Sequence, residues 1–424
     1  VSGTIGKVPL LEGRREWGWF LGVTLLLLAL HLGWKYRQYR QFVTRPFYYT
    51  RGEVLEVRPK RNAAGEYRVL KVRTEEGVTL RTRSYRRGDL SGKRVRLQLF
   101  PSERIGFWDY LKGAYIPSRI KGVESAPETI RRDLGEWIAS QHADPEAAAF
   151  YRAIFLADPL PESLRRKISA LGVNHLVALS GFHLGILWGG VFLLLRPVYR
   201  FFQKRLFPWR YDLLDLGSFS LLFLAGYLWL TGPPPSLLRS YAMLLCGWGA
   251  LLLGMEILSF SFLFLVGMVL SVLFPALVVS WGFWLSMGGV FAIFLLLKYW
   301  GDLPGWIVAL LVIPSGIYLL MYPVSHTLFD VASPWQHLSP VLSLIFIPFY
   351  PLMILLHLLG LGGVLDGVLL QLWTLPADST AERQLPGWIL VIYVVMALGA
   401  TRYRRVFYAL FGVSLASMLW VSFA

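Results

Sequence analysis

The sequence predicts a polytopic α-helical membrane protein of about 9–11 spans, with a small β domain inserted after the first span. Three observations lead there. Of 424 residues, 55% are hydrophobic and only 16% charged, against about a quarter charged in an average soluble domain. The apolar residues fall in long uninterrupted runs, and mean hydropathy is +0.51. The net charge of +16 is concentrated in one polar stretch, because lipid-facing surface cannot hold it. Secreted miniproteins, coiled coils and disordered tails are excluded. A single cysteine, Cys246, rules out an intrachain disulfide and a thiolate zinc centre, and no cofactor is expected.

Residues 1–34 read as an N-terminal transmembrane anchor. The run Trp17 to Trp34 follows Lys7, Arg14 and Arg15 and lacks a small-x-small cleavage pattern, so it is expected as a retained signal anchor. Residues 35–125 read as β structure, with short Val-, Leu-, Tyr- and Thr-rich runs at Tyr48–Arg58, Glu66–Arg73, Val78–Ser84 and Arg94–Phe100 between turn-forming clusters. In Val78–Arg83 and Arg94–Leu99, apolar and polar or basic residues alternate, placing them on opposite faces of a strand. Some five short strands fit a small OB-like β-barrel with one basic face. About 22 basic against 9 acidic residues between Lys35 and Ser125 give the basic excess its location. Residues 126–170 are expected as a helical linker.

Residues 171–424 form the polytopic part. The candidate spans are 173–195, 212–231, 237–254, 258–279, 281–299, 304–322, 340–359, 362–375 (short), 386–400 and 406–423. Lys7, Arg14 and Arg15 before the first span, and Arg196, Arg200, Lys204, Arg205 and Arg210 after the second, mark cytoplasmic sides by the positive-inside rule. Two spans separate them. By parity the N-terminus is cytoplasmic and the β domain lies on the opposite, periplasmic side.

The densest polar cluster runs from Asn174 to Gly190. It sets Asn174, His175, Ser180 and His183 in an apolar span, with Gly181, Gly185 and Gly189 spaced for close helix approach. The histidines are open to three readings: interhelical hydrogen bonds, the lining of a polar path, or catalysis with Ser180. The last lacks a G-x-S-x-G elbow, although His326, His337 or His357 from another span would be an alternative base. Gly88–Arg94 resembles a phosphate loop but has one residue too few between its glycines and Arg94 in place of Ser or Thr, so a hairpin turn is expected. Arg239 follows Thr231-Gly232-Pro233-Pro234-Pro235, which cannot be regular helix, and Gly282–Ser286 and Leu338–Pro340 are further breaks or polar points. Asp215, Glu256, Lys298, Asp302, Asp330 and Asp366 sit mostly at span ends. In the β domain Arg81, Arg83, Arg86, Arg87, Lys93, Arg94 and Arg96 cluster with Tyr67, Tyr85, Phe100, Phe107 and Trp108 nearby. Cations for phosphates and flat rings for bases are what single-stranded nucleic acid requires; a solvated face or contact with anionic lipid is the competing reading.

The stretch His175-Leu176-Val177-Ala178-Leu179-Ser180-Gly181-Phe182-His183 strongly resembles the H-L-L-A-I-S-G-L-H signature of the ComEC family, the inner-membrane channel of bacterial DNA uptake. Arg239-Ser240-Tyr241-Ala242-Met243 resembles that family's R-A-x-x-M, Pro275 with Gly282–Ser286 its P…G-F-Q-L-S, and Leu338-Ser339-Pro340 with Ile347-Pro348 a later S-P…P segment. Phe182, Ser240 and Trp284 depart from the usual residues without removing an ionisable group. The resemblance implies an ssDNA channel that is not an enzyme, with Asn174, His175, Ser180, Gly181, His183, Gly185, Arg239 and Ser286 as its signature. It also implies membrane lipids, a periplasmic DNA receptor, a cytoplasmic translocase or helicase, and a separate nuclease as partners. Many family members carry a C-terminal metallo-β-lactamase-like domain. No H-x-H-x-D-H cluster is found here, and a short form without that domain is the expectation. An intramembrane serine protease and an exporter of anionic lipid or polymer are the alternatives.

Overall fold

The computed structural model describes residues 13–62, 65–86, 90, 92–124, 129–232, 234–376 and 380–423. Contacts divide the described residues into two compact units, one within Leu11–Asp133 and Gly267–Trp281, the other within Leu134–Val266 and Gly282–Ala424.

In the first unit, helix α1 (Arg14–Val43) runs for 30 residues, past the expected end of the anchor at Trp34. Its last turns are strong helix formers, and they dock on the β domain: Tyr39 donates from its hydroxyl to the Ile105 carbonyl at 2.6 Å and packs against Phe107 and Tyr110 of the segment around helix α2 (Phe107–Lys112). Strands β1 (Tyr48–Asn62), β2 (Gly65–Thr74), β3 (Thr79–Ser84), β4 (Arg94–Leu99) and β5 (Ser118–Glu124) form one antiparallel sheet in the order β3-β2-β1-β4-β5. The period-2 pattern drives it. Leu80, Val95, Leu97 and Leu99 point inward with Val54, Leu70, Val72 and Ile116, each no more than 1% exposed, and each such burial stabilises by about 1.5–3 kcal/mol.

The sheet is not closed into a barrel. Where β3 would meet β5, the described residues hold a single parallel bridge between Arg81 and Tyr115 and a Thr82–Ser118 hydroxyl contact of 2.7 Å. The Gly88–Arg94 segment does not make the expected hairpin either. It connects β3 to β4, which are separated in the sheet by β2 and β1; Arg87, Gly88, Asp89 and Ser91 lie outside the described residues.

Helix α3 (Ile130–Ala139) leads into the second unit. There α4 (Pro145–Leu156), capped by Asp144 with proline at its start, α5 (Glu162–Ala170) and the single turn α6 (Asn174–Val177) precede the long helices. These are α7 (Gly181–Leu206), α8 (Asp212–Leu230), α9 (Pro235–Leu252), α10 (Phe260–Leu273), α11 (Trp281–Trp300), α12 (Gly305–Ile307) continuing through a π turn into α13 (Ile313–Leu328), α14 (Ser339–Leu358), α15 (Asp366–Thr374), α16 (Gly387–Ala400) and α17 (Arg404–Phe423). A two-residue pairing of β6 (Val331–Ala332) with β7 (Ala381–Glu382) closes one loop. The core gathers Tyr151, Ile154, Leu164, Ile168, Tyr350 and Met353, all fully buried.

Seven helices are long and apolar enough to cross a membrane among the described residues, fewer than the 9–11 expected. Part of the difference has a geometric cause, whereas α9 has the length, 18 residues, and falls short in apolar composition. Apolar windows count residues and do not see where a helix stops: α10 and α16 have 14 residues each, about 21 Å of helix against a hydrocarbon core of about 30 Å. The expected span 362–375 resolves into a 3-10 turn and the nine-residue α15.

Candidate functional site

The expected span 173–195 is broken, and the break positions its polar residues. Gly172 has a φ of +69° and abuts Gln336, whose side chain would stand 3.2 Å from any Cβ there, so glycine alone fits both demands. After α6, Ala178 and Ser180 are extended, and the Ser180 hydroxyl accepts from the Phe182 N–H at 3.3 Å as the N-cap of α7. Asn174 accepts from the Ser169 hydroxyl at 3.1 Å. His175 Nε2 lies 3.1 Å from the Ser343 hydroxyl. That hydroxyl donates to the Ser339 carbonyl, so the imidazole must donate from Nε2. Ser339 in turn donates to the Gly172 carbonyl at 3.0 Å. Asn174 and His175 thus tie α5, α6 and the start of α14 together.

His183 is fully buried. Its Nδ1 lies 3.4 Å from the Ser180 hydroxyl oxygen, and its ring stands edge-on to Phe346 and Tyr350. The Leu176 carbonyl faces the ring, yet among the described residues Nε2 has no partner of hydrogen-bonding geometry. Tyr350 donates to the Tyr227 hydroxyl at 3.2 Å, and Tyr227 to the Phe155 carbonyl at 2.7 Å. Among the described residues the candidate second bases are engaged elsewhere: His326 with Gln336, His337 with Tyr318 and Ser422, and His357 with His142.

Of the glycine series, Gly181 meets Ser240 of α9, where an added Cβ would stand 3.3 Å from its side chain, whereas Gly185 and Gly189 face open space. Arg239 sits in the second turn of α9, which starts after the proline break (Pro233 lies outside the described residues). Its Nη2 lies 3.2 Å from where a Cβ on Gly282 would stand. Its buried Nε has no hydrogen-bond partner, and no carboxylate pairs with it, among the described residues. Ser286 is a half-buried residue inside continuous α11, so of the two readings Gly282–Ser286 is a polar point and not a break. Leu338–Pro340 does mark a junction, from a 3-10 turn into α14. Asp215 pairs with Arg210 at 2.5 Å, and Asp212 with Arg196 and Arg200, knitting the α7–α8 loop.

On the sheet, register places Arg81 beside Lys71, Lys71 beside Glu56, and Arg94 beside Glu53 and Glu124. Arg81, Arg94 and Arg96 are exposed, with Arg96 held by Glu124 at 2.6 Å. Burial, and then the neighbouring Arg81, Arg58 and Arg73, push the Lys71 ammonium below its ordinary range against the opposing pull of Glu56. The guanidinium of Arg83 lies 4.4 Å over the Tyr67 ring and donates to the Tyr85 hydroxyl at 3.1 Å; Tyr85 is 62% exposed. Arg86 is exposed just beyond β3, and Lys93 is half-buried at the entry to β4. Phe107 is drawn away to pack on Tyr36 and Tyr39 of α1, and Phe100 lies under Arg119. Sequence reasoning missed Lys71, which strand register sets beside Arg81, Arg58 and Arg73, which lie near Lys71, and Gln336, which donates to the Ser169 and Val331 carbonyls.

A family model described as Competence protein matches residues 157–406, which includes every signature residue from Asn174 to Ser286. The chain belongs to the competence protein family. It is similar to YcaI of Escherichia coli K12, an uncharacterized protein, at 28% identity over 251 residues, covering 54% of this chain and 32% of YcaI. An uncharacterized Aquifex aeolicus protein is 28% identical over 213 residues, 49% of this chain and 46% of that protein. The chain thus spans less than half the length of these curated relatives. No solved structure matches it significantly. With seven membrane-capable helices, this family member is a multi-pass membrane protein.

Proposed function

We propose that this protein carries single-stranded DNA across the bacterial inner membrane during natural transformation, as a channel component rather than an enzyme. Family membership supplies the class, DNA uptake. The observation that carries the finer reading is the outer face of the sheet, where Lys71 and Arg81 are register partners with Arg73 and Arg58 close by, Glu56 pairing with Arg58 at 2.6 Å and so neutralising only part of the cluster, beside the Tyr67–Arg83–Tyr85 stack. Crowded cations repel one another until a polyanion neutralises them, and stacked rings offer bases a flat surface.

On this reading residues 35–125 form an OB-like, periplasmic DNA-collecting domain. The strand order, with the Arg81–Tyr115 bridge at its open seam, supports the OB likeness. The cationic α7–α8 loop, one returning span after α1, supports a cytoplasmic N-terminus. Within the helices, Asn174, His175, Ser180, Gly181, His183 and Gly185 at the broken entry to α7, with Arg239 and Ser286, frame the polar path, Arg239 contacting phosphate. A periplasmic DNA receptor, a cytoplasmic translocase or helicase and a separate nuclease complete the machinery.

The test reverses Arg81, Arg83, Arg94 and Arg96 to glutamate together in the full chain. Affinity for labelled ssDNA and its salt slope should both fall, and labelled DNA should stop short of the cytoplasm in cells. Unchanged ssDNA binding, or displacement of ssDNA by vesicles of acidic lipid at equal charge, sinks the DNA-collecting role.

A further inference from the structure

Away from the signature residues, in the helical unit, His142, His357 and Asp366 form a closed chain of ionisable groups. His142 lies in the loop before α4 with no side-chain exposure; His357 is at the end of α14 and 2% exposed; Asp366 begins α15. His142 Nδ1 is 3.0 Å from both carboxylate oxygens of Asp366. The two imidazoles meet Nε2 to Nε2 at 3.0 Å, and His357 Nδ1 is 2.7 Å from the Met353 carbonyl.

Counting hydrogens fixes the protonation of this chain. A carbonyl only accepts, so His357 Nδ1 carries a hydrogen, and a neutral His357 then offers a lone pair at Nε2. An ionised Asp366 also only accepts, so His142 Nδ1 carries a hydrogen, and a neutral His142 likewise offers a lone pair at Nε2. Two lone pairs would then face each other at 3.0 Å in a buried site. Every satisfied arrangement contains one proton more: an imidazolium on either ring beside the Asp366 carboxylate, or a neutral pair beside a protonated Asp366. The ionisable groups facing the imidazoles are Asp366 and Tyr151 of α4, whose ring stacks on His142 at 4.6 Å and lies 4.8 Å from His357.

We propose that Asp366, His142 and His357 bind one exchangeable proton, and that its presence latches the loop before α4 to the turn between α14 and α15. Gln141 makes the latch mechanical. Its amide donates to the His357 carbonyl at 3.2 Å and its oxygen accepts from the Gly362 N–H at 2.9 Å, so separation of the imidazoles pulls directly on the end of α14. The closed latch holds one proton that the open latch releases, so the opening constant rises with pH, by about tenfold per unit while the closed latch still keeps the proton that the open one has lost. This site is independent of what the protein carries.

Hydrogen exchange of the full chain in detergent, followed by mass spectrometry on peptides spanning 140–144 and 360–366, reads the latch directly. After correction for intrinsic exchange, protection should hold near about pH 6 and fall toward about pH 8.5. In Asp366→Asn the amide donates to Nδ1 of a neutral His142, whose Nε2–H then donates to His357, so no extra proton is needed. Protection in that variant should therefore be independent of pH. A residue of merely structural importance would lower protection equally at every pH. A flat wild-type profile, an Asp366→Asn variant with the wild-type slope, or a stoichiometric metal whose chelation abolishes protection would overturn the proposal.

Discussion

Nη2 of Arg239 lies 3.2 Å from the point where a side chain on Gly282 would begin. The guanidinium would therefore have to give by a few tenths of an ångström for a side chain at position 282, and more for a larger one, so the two positions are coupled despite sitting on different helices. Gly282→Val should displace Arg239 and reduce transformation as far as Arg239→Ala does, with the protein still inserted in the membrane; Gly282→Ala should do less. Normal transformation by inserted Gly282→Val would remove Arg239 from the path.

On the proposed DNA-collecting role, the stack of Arg83 on Tyr67, with Tyr85 as hydrogen-bond acceptor, allows base contact to be tested apart from phosphate contact. Tyr67→Ala with Tyr85→Ala should weaken ssDNA binding by about 1–3 kcal/mol per stacked base, about 5- to 150-fold, and leave the salt slope in place. Lys71→Gln with Arg73→Gln should instead flatten the slope. A uniform effect of both pairs on slope and affinity would contradict a division of labour.

Acid should loosen the sheet through one carboxylate. Burial raises the Glu76 carboxyl, but hydrogen bonds from Thr50, its own backbone, Tyr48 and Thr74 outweigh this and hold it below its ordinary value; the Thr50 and Tyr48 contacts are 2.7 and 2.9 Å. The folded state therefore binds its proton less readily than the unfolded state. The stabilisation is present above the ordinary carboxylate range and is lost as pH falls through the depressed folded value. Glu76→Gln should flatten the acid limb of a melting-temperature profile of the full chain, and an unaltered limb would refute the assignment.

Ser180 is an N-cap, and its substitution should behave as one. Ser180→Ala should cost about 0.5–2 kcal/mol of stability, Ser180→Thr or Ser180→Asp should recover most of it, and a serine-directed fluorophosphonate should leave the protein unlabelled. Covalent labelling at Ser180 would revive the protease alternative.

What the sequence made legible was local. Alternation in Arg94–Leu99 and in Thr79–Ser84 has a period of two whatever surrounds it, so those strands and their inward leucines were readable. Span number was not, because α10 and a longer helix look alike in an apolar window until proline and glycine decide where each ends. The break at Ala178–Ser180 lies inside such a window, although Ser180 before Gly181 is a helix-start signal that the apolar flanks obscured. The open seam of the sheet depends on how β3 approaches the segment before β5, which no single strand encodes. His142 gave no local sign at all: its partner His357 is 215 residues away, and a lone histidine in a loop has no pattern to match.

Helix α1 continues unbroken from the lipid-crossing run to its docking site on the β domain, and its 30 residues amount to about 45 Å, some 15 Å more than the hydrocarbon core. It is therefore a drive shaft as well as an anchor. Each residue added between Trp34 and Tyr36 would lift the sheet by about 1.5 Å and turn its cationic face by about 100° around the helix axis. The direction of that face about the axis of α1 is thus set by the residue count of α1, and, on the proposed DNA-collecting role, an insertion series should impair and restore uptake with the periodicity of an α-helix.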